Sequence, residues 1–167
     1  MTMKKIVVIF AIMLLTVSAF SQDGKSLYAK YSDHDAVEAV YISPAMFRMI
    51  GKLPDMNVYT KDGGQMNLAP IVQSLTGFYL LSTADPKLKT SLDKDVADFA
   101  KKGRHELLME AKDHGDVVRI YTTGDDTYIT SLVVMAIDGE DTSFICLDGK
   151  ILRSDLEDIL VNMENIN

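Results

Sequence analysis

From Leu107 to Leu147 the sequence repeats one arrangement, a β-prone and largely apolar segment followed by a short gap of turn residues. The segments are Leu107 to Ala111, Val117 to Thr122, Thr127 to Ile137 and Thr142 to Leu147. Between them stand Asp113-His114-Gly115-Asp116, Gly124-Asp125-Asp126 and Asp138-Gly139-Glu140-Asp141. Glycine reaches positive φ without strain, and aspartate hydrogen-bonds its own backbone; a tight connection between strands needs both properties. Segments recurring every ten to fifteen residues or so with such gaps predict an antiparallel meander of about four strands.

The first half of the mature chain carries helix signals. Ser26 to Tyr31 places Leu27, Tyr28 and Tyr31 at helical spacing. Ala36 to Ile42 has a period near two and predicts a strand. Ser43 as N-cap and Pro44 at the first helical position then open a helix through Met46, Phe47, Met49 and Ile50. Leu68, Ile71, Val72 and Leu75 recur at i, i+3, i+4 and i+7, which predicts a helix ended by Gly77 and followed by a strand over Phe78 to Leu81. Asp85-Pro86 repeats the start signal, and Leu88, Leu92, Val96 and Phe99 form the buried stripe of a longer helix. Ser154 can cap a closing helix reciprocally with Glu157, with Leu156, Ile159, Leu160 and Met163 on one face. The expected fold is a single α+β domain: the meander, extended by one or two N-terminal strands because a two-strand remnant cannot stand alone, with helices packed mainly on one face.

Residues 1 to 21 are expected to lie outside that domain. Lys4-Lys5, the apolar run Ile6 to Leu15 and the small residues of Ala19-Phe20-Ser21 come in the order of a secretory signal, with cleavage before Gln22. The apolar run is too short for a bilayer span of about 20 residues. Cys146 is the only cysteine, so none lies beside the cleavage site to carry a lipid, and no disulfide forms within the chain. The expectation is a periplasmic or secreted protein of one domain, residues 22 to 167, without a membrane anchor. Removing Lys4 and Lys5 takes the formal charge from −7 to −9. Nucleic acid and anionic membranes repel such a chain and are not expected partners.

Candidate chemistry is sparse. His34 and His114 are each flanked by aspartates, and His105 stands apart. No histidine pair has a spacing that forces convergence on a metal, which for zinc means about four ligands, commonly nitrogen or sulfur. Turn chemistry accounts for the acids around His114. There is no Gly-x-Ser-x-Gly elbow, no phosphate-cradling loop and no dinucleotide fingerprint, and Cys146 sits mid-strand in Phe144-Ile145-Cys146-Leu147. No catalytic residue, metal or cofactor is assigned. Residues 51 to 66, GKLPDMNVYTKDGGQM, are the longest stretch without a sustained period, and loops of that length carry function out of proportion to their number. Met56, Val58, Tyr59 and Met66 are its candidates for contacting a partner, flexible methionines being suited to adaptable surfaces.

Leu27-Tyr28-Ala29-Lys30-Tyr31, followed by Val40-Tyr41-Ile42-Ser43-Pro44-Ala45-Met46-Phe47, resembles the start of the domain-of-unknown-function family DUF4252. The similarity continues through Leu80-Leu81-Ser82-Thr83 and Glu106-Leu107-Leu108-Met109-Glu110-Ala111-Lys112-Asp113 and covers nearly the whole mature chain. The resemblance implies a small exported protein of Gram-negative bacteria, similar to members sometimes encoded near extracytoplasmic-function sigma factors, and hence a part in envelope sensing or regulation. It transfers no site residue. The functional expectation is a non-enzymatic binding or interaction protein whose exposed sheet face or 51 to 66 loop contacts a protein or a small apolar ligand. The alternative is a metal-dependent or hydrolytic envelope enzyme using His34, His105 or His114.

Overall fold

The computed structural model describes residues 24–52, 57–59 and 65–157. Along the chain run α1 (Gly24–Tyr31), β1 (Glu38–Ile42), α2 (Pro44–Ile50), β2 (Asn57–Tyr59), β3 (Gln65–Asn67), α3 (Ala69–Ser74), β4 (Leu75–Thr83), α4 (Pro86–Lys102), β5 (Glu106–Asp113), β6 (Asp116–Gly124), β7 (Tyr128–Ile137) and β8 (Thr142–Leu152). Residues 153–157 then turn helical. Six strands form one open sheet in the order β1-β4-β8-β7-β6-β5, and every neighbouring pair is antiparallel. The expected α+β fold is present: β5 to β8 are the meander, and β4 and β1 extend it beyond β8.

Local chemistry sets the element ends. The Ser43 hydroxyl accepts from the Met46 N–H and caps α2. Asp85 Oδ1 accepts from the Lys87 and Leu88 N–H groups at 2.9 Å each, satisfying two donors that the first turn of α4 leaves open. Between β5 and β6 only His114 and Gly115 bridge the paired residues Asp113 and Asp116, and both have positive φ, 48° and 104°. That is the two-residue connection whose twist matches the strands it joins. Asp125 and Asp138 serve the next two connections through their side chains. Asp125 Oδ1 accepts from the Thr127 and Tyr128 N–H groups, and Asp138 Oδ1 from those of Glu140 and Asp141.

Four local features differ from the pattern read in the sequence. Leu75 was expected on the helix of Leu68, Ile71 and Val72, yet it opens β4, because pairing with Gly149 and burial against Phe47, Ile129 and Ile151 outweigh the periodicity. Asn57–Tyr59 pairs antiparallel with Gln65–Asn67, so the stretch expected to be irregular holds a two-strand ladder too short to register as a period. The closing helical residues start at 153, which puts Ser154 inside the first turn rather than at its cap. Ile159, Leu160 and Met163, like the signal segment 1 to 21, lie outside the described residues. Finally, Arg104 occupies a left-handed conformation, φ 53°, just past α4, where glycine is the usual residue. The preceding Gly103 is held by other demands, since a Cβ there would stand 2.6 Å from the His105 ring. Arg104→Gly is therefore expected to raise stability, by up to about 1 kcal/mol, read as a higher urea midpoint at unchanged slope.

Helices α1 and α4 cover one face of the sheet. Leu27 and Tyr31 from α1, with Leu92, Val96 and Phe99 from α4, pack on Tyr79, Leu81, Val133, Met135, Phe144 and Cys146. A smaller cluster lies on the opposite face. There Phe47 of α2, Ile71 and Val72 of α3 and Leu156 meet Ile42, Phe78, Leu132 and Leu147. These short elements cover only one end of that face.

Candidate interaction surface

Strand residues alternate between faces, so the ladder register shows what the uncovered part carries. Val40 stands opposite Leu80, Leu80 opposite Ile145, Ile145 opposite Val134, Val134 opposite Ile120, and Ile120 opposite Met109. All six strands thus contribute one apolar side chain to a single line. At its ends Val40 and Met109 are each 45% exposed, and the four residues between are half-buried. The next line, away from α2, holds Glu38, Ser82, Ser143, Ala136, Val118 and Ala111. Its side chains are mostly small, and Ser82 and Ser143 hydrogen-bond each other at 2.9 Å. An antiparallel sheet facing water on one side normally shows polar side chains there. Here the uncovered part is a floor of branched aliphatic residues with no charge along its central line.

The charge stands at the rim. Glu38 closes one edge, and the connections bearing Asp116, Asp138, Glu140 and Asp141 border the end of the sheet away from α2. Hydrogen bonds from the Asp141 and Glu140 N–H groups hold the Asp138 carboxyl below its ordinary range. A cavity of about 300 Å³ opens at this end between Asp35, Glu38, Ser82, Thr83 and Asp141. A second, of about 260 Å³, lies on the helical side among Lys30, Asp95, Asp98 and Lys102. There burial alone would raise the Asp95 carboxyl. Hydrogen bonds from Lys30 and from the Tyr31 hydroxyl, the latter at 2.6 Å, outweigh it and hold Asp95 below its ordinary value. Both cavities are charged, a poor match for a small apolar ligand.

One polar constellation lies inside the core under α1. Cys146 Sγ stands 3.6 Å from Ser131 Oγ and 3.4 Å from Asp148 Oδ1, the Gly24 N–H donates to Asp148 Oδ2 at 3.3 Å, and His105 Nε2 lies 3.4 Å from Ser131 Oγ. It brings a thiol and an imidazole within one hydroxyl of each other, which their sequence positions gave no sign of. It is closed: Cys146 is 0% and Ser131 7% exposed. A reacting group needs a path for substrate, and none reaches this thiol, so its role is structural. Burial pushes the His105 imidazole below its ordinary value of 6.5, against weaker opposing pulls from the nearby Ala100 backbone carbonyl and from Asp148, and its Nδ1 has no partner in strict hydrogen-bonding geometry. The folded value thus lies below the unfolded one, and the unfolded chain takes up the proton first. Stability is then expected to fall as pH drops through about 6.5. Thermal melts at pH 7.5 and 5.5 read this loss, and His105→Phe, stacked on Phe99, should flatten it. The carboxylates with depressed values, such as Asp95 and Asp138, act only at more acid pH.

Residues 31–159 match the family described as Domain of unknown function (DUF4252). The chain belongs to the DUF4252 family. No curated protein and no solved structure matches it. All six strands of the sheet, and hence the whole line from Val40 to Met109, fall within the matched residues.

In this DUF4252 chain the loop candidates lie in or beside the small ladder, and the three histidines stand at separate places around the main sheet. Val58 pairs with Met66 and Tyr59 with Gln65 in the small ladder of β2 and β3, apart from the main sheet, and Met56 lies outside the described residues. His34 packs on Tyr31 beside β1, His105 packs on Phe99 at the opposite end of the sheet, and exposed His114 pairs with Asp113 at the tip of the β5–β6 connection. Among the described residues no group of three or more His, Cys, Asp or Glu side chains is placed to hold a metal ion. Also among the described residues, no helix is long and apolar enough to cross a membrane.

Proposed function

We propose that the protein is an exported, non-enzymatic interaction module of the periplasm or extracellular space, possessing one docking surface: the uncovered end of its sheet. The observation that carries this is the line Val40, Leu80, Ile145, Val134, Ile120 and Met109, six apolar side chains in register over which, among the described residues, no helix packs. Contiguous exposed apolar area of this kind marks an interaction site in a soluble protein. The line crosses all six strands of the sheet, an extent that suits a protein partner better than a small molecule.

The export half of the reading rests on the order of charge, apolar run and small residues in 1 to 21. Fractionation with mass analysis is expected to recover a chain beginning at Gln22 outside the cytoplasm. The docking half is tested in cells by placing a photoreactive phenylalanine analogue at position 145 or 134, with position 94 on the far side of α4 as control. Adducts to a polypeptide are expected at 145 and 134 and not at 94. An equal yield at all three positions, or none at any, sinks the docking surface.

A further inference from the structure

We propose that the occupant of the uncovered floor is a second copy of this chain, related by a two-fold axis lying across the strands, an inference that rests on reading the floor as the docking surface. The half-covered face is self-complementary in shape. Helices α2 and α3 form a layer one helix thick over one end of the sheet, and among the described residues no element packs over the other end. An axis lying in the plane of the interface and across the strands turns the partner end for end. Each copy's helices then fill the gap over the other's floor, and two sheets enclose one shared layer of helices.

Side chains on α2 fit that role. Phe47 points into its own core, and at 100° per residue Met49 lies on nearly the opposite side of the helix. Met49 is 68% and Met46 48% exposed, large apolar side chains outside both core clusters. The same rotation sets them over the partner's Val40, Leu80 and Ser82, because an axis across the strands leaves each strand above its own counterpart.

Charge selects the orientation. From Pro44 to Lys52 the only charged residues are Arg48 and Lys52, and α3 carries none. The bare end of the floor is bordered by Glu38 and Asp141. An axis across the strands brings these opposite charges together, whereas an axis along the strands would set acid on acid, and such pairing by sign fixes register. The footprint suffices as well. Six strands about 4.8 Å apart and two lines of side chains about 7 Å apart give a floor of roughly 300 to 350 Å². With the reciprocal helix layer, each copy contributes on the order of 700 Å², close to the roughly 800 Å² per partner of a standard interface.

Sedimentation equilibrium of the mature chain from about 1 to 100 μM, a range that brackets ordinary μM affinities, is expected to give a dimer. Ile145→Lys should give a monomer with an unchanged circular dichroism spectrum. Should that variant fail to fold, a second measurement stands independently. Met49→Cys and Ser82→Cys chains are mixed and mildly oxidised, and a disulfide-linked pair containing one of each is expected in at least tenfold excess over either chain with itself. A monomer throughout the concentration range, with no mixed disulfide, overturns the second copy. The photocrosslinking at position 145 then separates the two ideas. Adducts to a different polypeptide leave the docking surface standing with another occupant, and no adduct removes both.

Discussion

Phe144→Ala is expected to cost about 3–5 kcal/mol of folding stability, the range for deleting a fully buried aromatic ring. Phe144 sits on β8, the strand through which β4 is joined to the meander, and pairs with Leu81 on one side and Met135 on the other. Its ring meets Phe99 of α4 edge to face, with centroids 6.2 Å apart, so it also joins the sheet to its longest helix. Leu81, Leu92 and Met135 around it are fully buried, leaving little freedom to collapse into the gap. The melting temperature should drop by roughly 10 °C for a chain of this size, read by calorimetry. A loss below about 1 kcal/mol would mean that the two layers are not coupled through this ring.

Gly124→Ala should come close to it, for a different reason. Gly124 ends β6 at φ 149°, beside a register shift, and a Cβ there would stand 2.0 Å from the Tyr128 carbonyl oxygen. That oxygen accepts from the Asp125 N–H at 2.9 Å, so relieving the clash breaks the β6–β7 connection. A loss of about 2–4 kcal/mol is expected, by urea unfolding. Gly115→Ala is the control. It too has positive φ, 104°, but nothing stands within 4 Å of its added Cβ, so only backbone strain of about 1 kcal/mol applies. Equal losses at the two sites would show that strain alone, and not the clash, governs Gly124.

The meander was legible because its gaps carry the turn chemistry they use: Asp125 and Asp138 close their connections through side-chain hydrogen bonds, and His114-Gly115 supplies the positive φ. The starts of α2 and α4 were legible for the same local reason, Ser43-Pro44 and Asp85-Pro86. What escaped were features decided at a distance. Leu75 follows a partner 74 residues later, Gly149, and His105 meets Cys146 only through Ser131. The apolar floor also left a trace in the sequence. β4, β7 and β8 are apolar at both parities, in Leu80-Leu81, Leu132-Val133-Val134 and Phe144-Ile145, as strands covered on both sides usually are.

The strand order has a bearing on how the chain is made. β8, the last of the described strands in chain order, is the one that separates β4 and β1 from the meander. The N-terminal strands therefore emerge from the ribosome with nothing to complete them. β1 and β4 pair with each other but lack a neighbour on the other side of β4 until β8 arrives, whereas β5, β6 and β7 can close on their neighbours as each appears. Until β8 docks, the edge of β4 that it covers is open to wrong pairing.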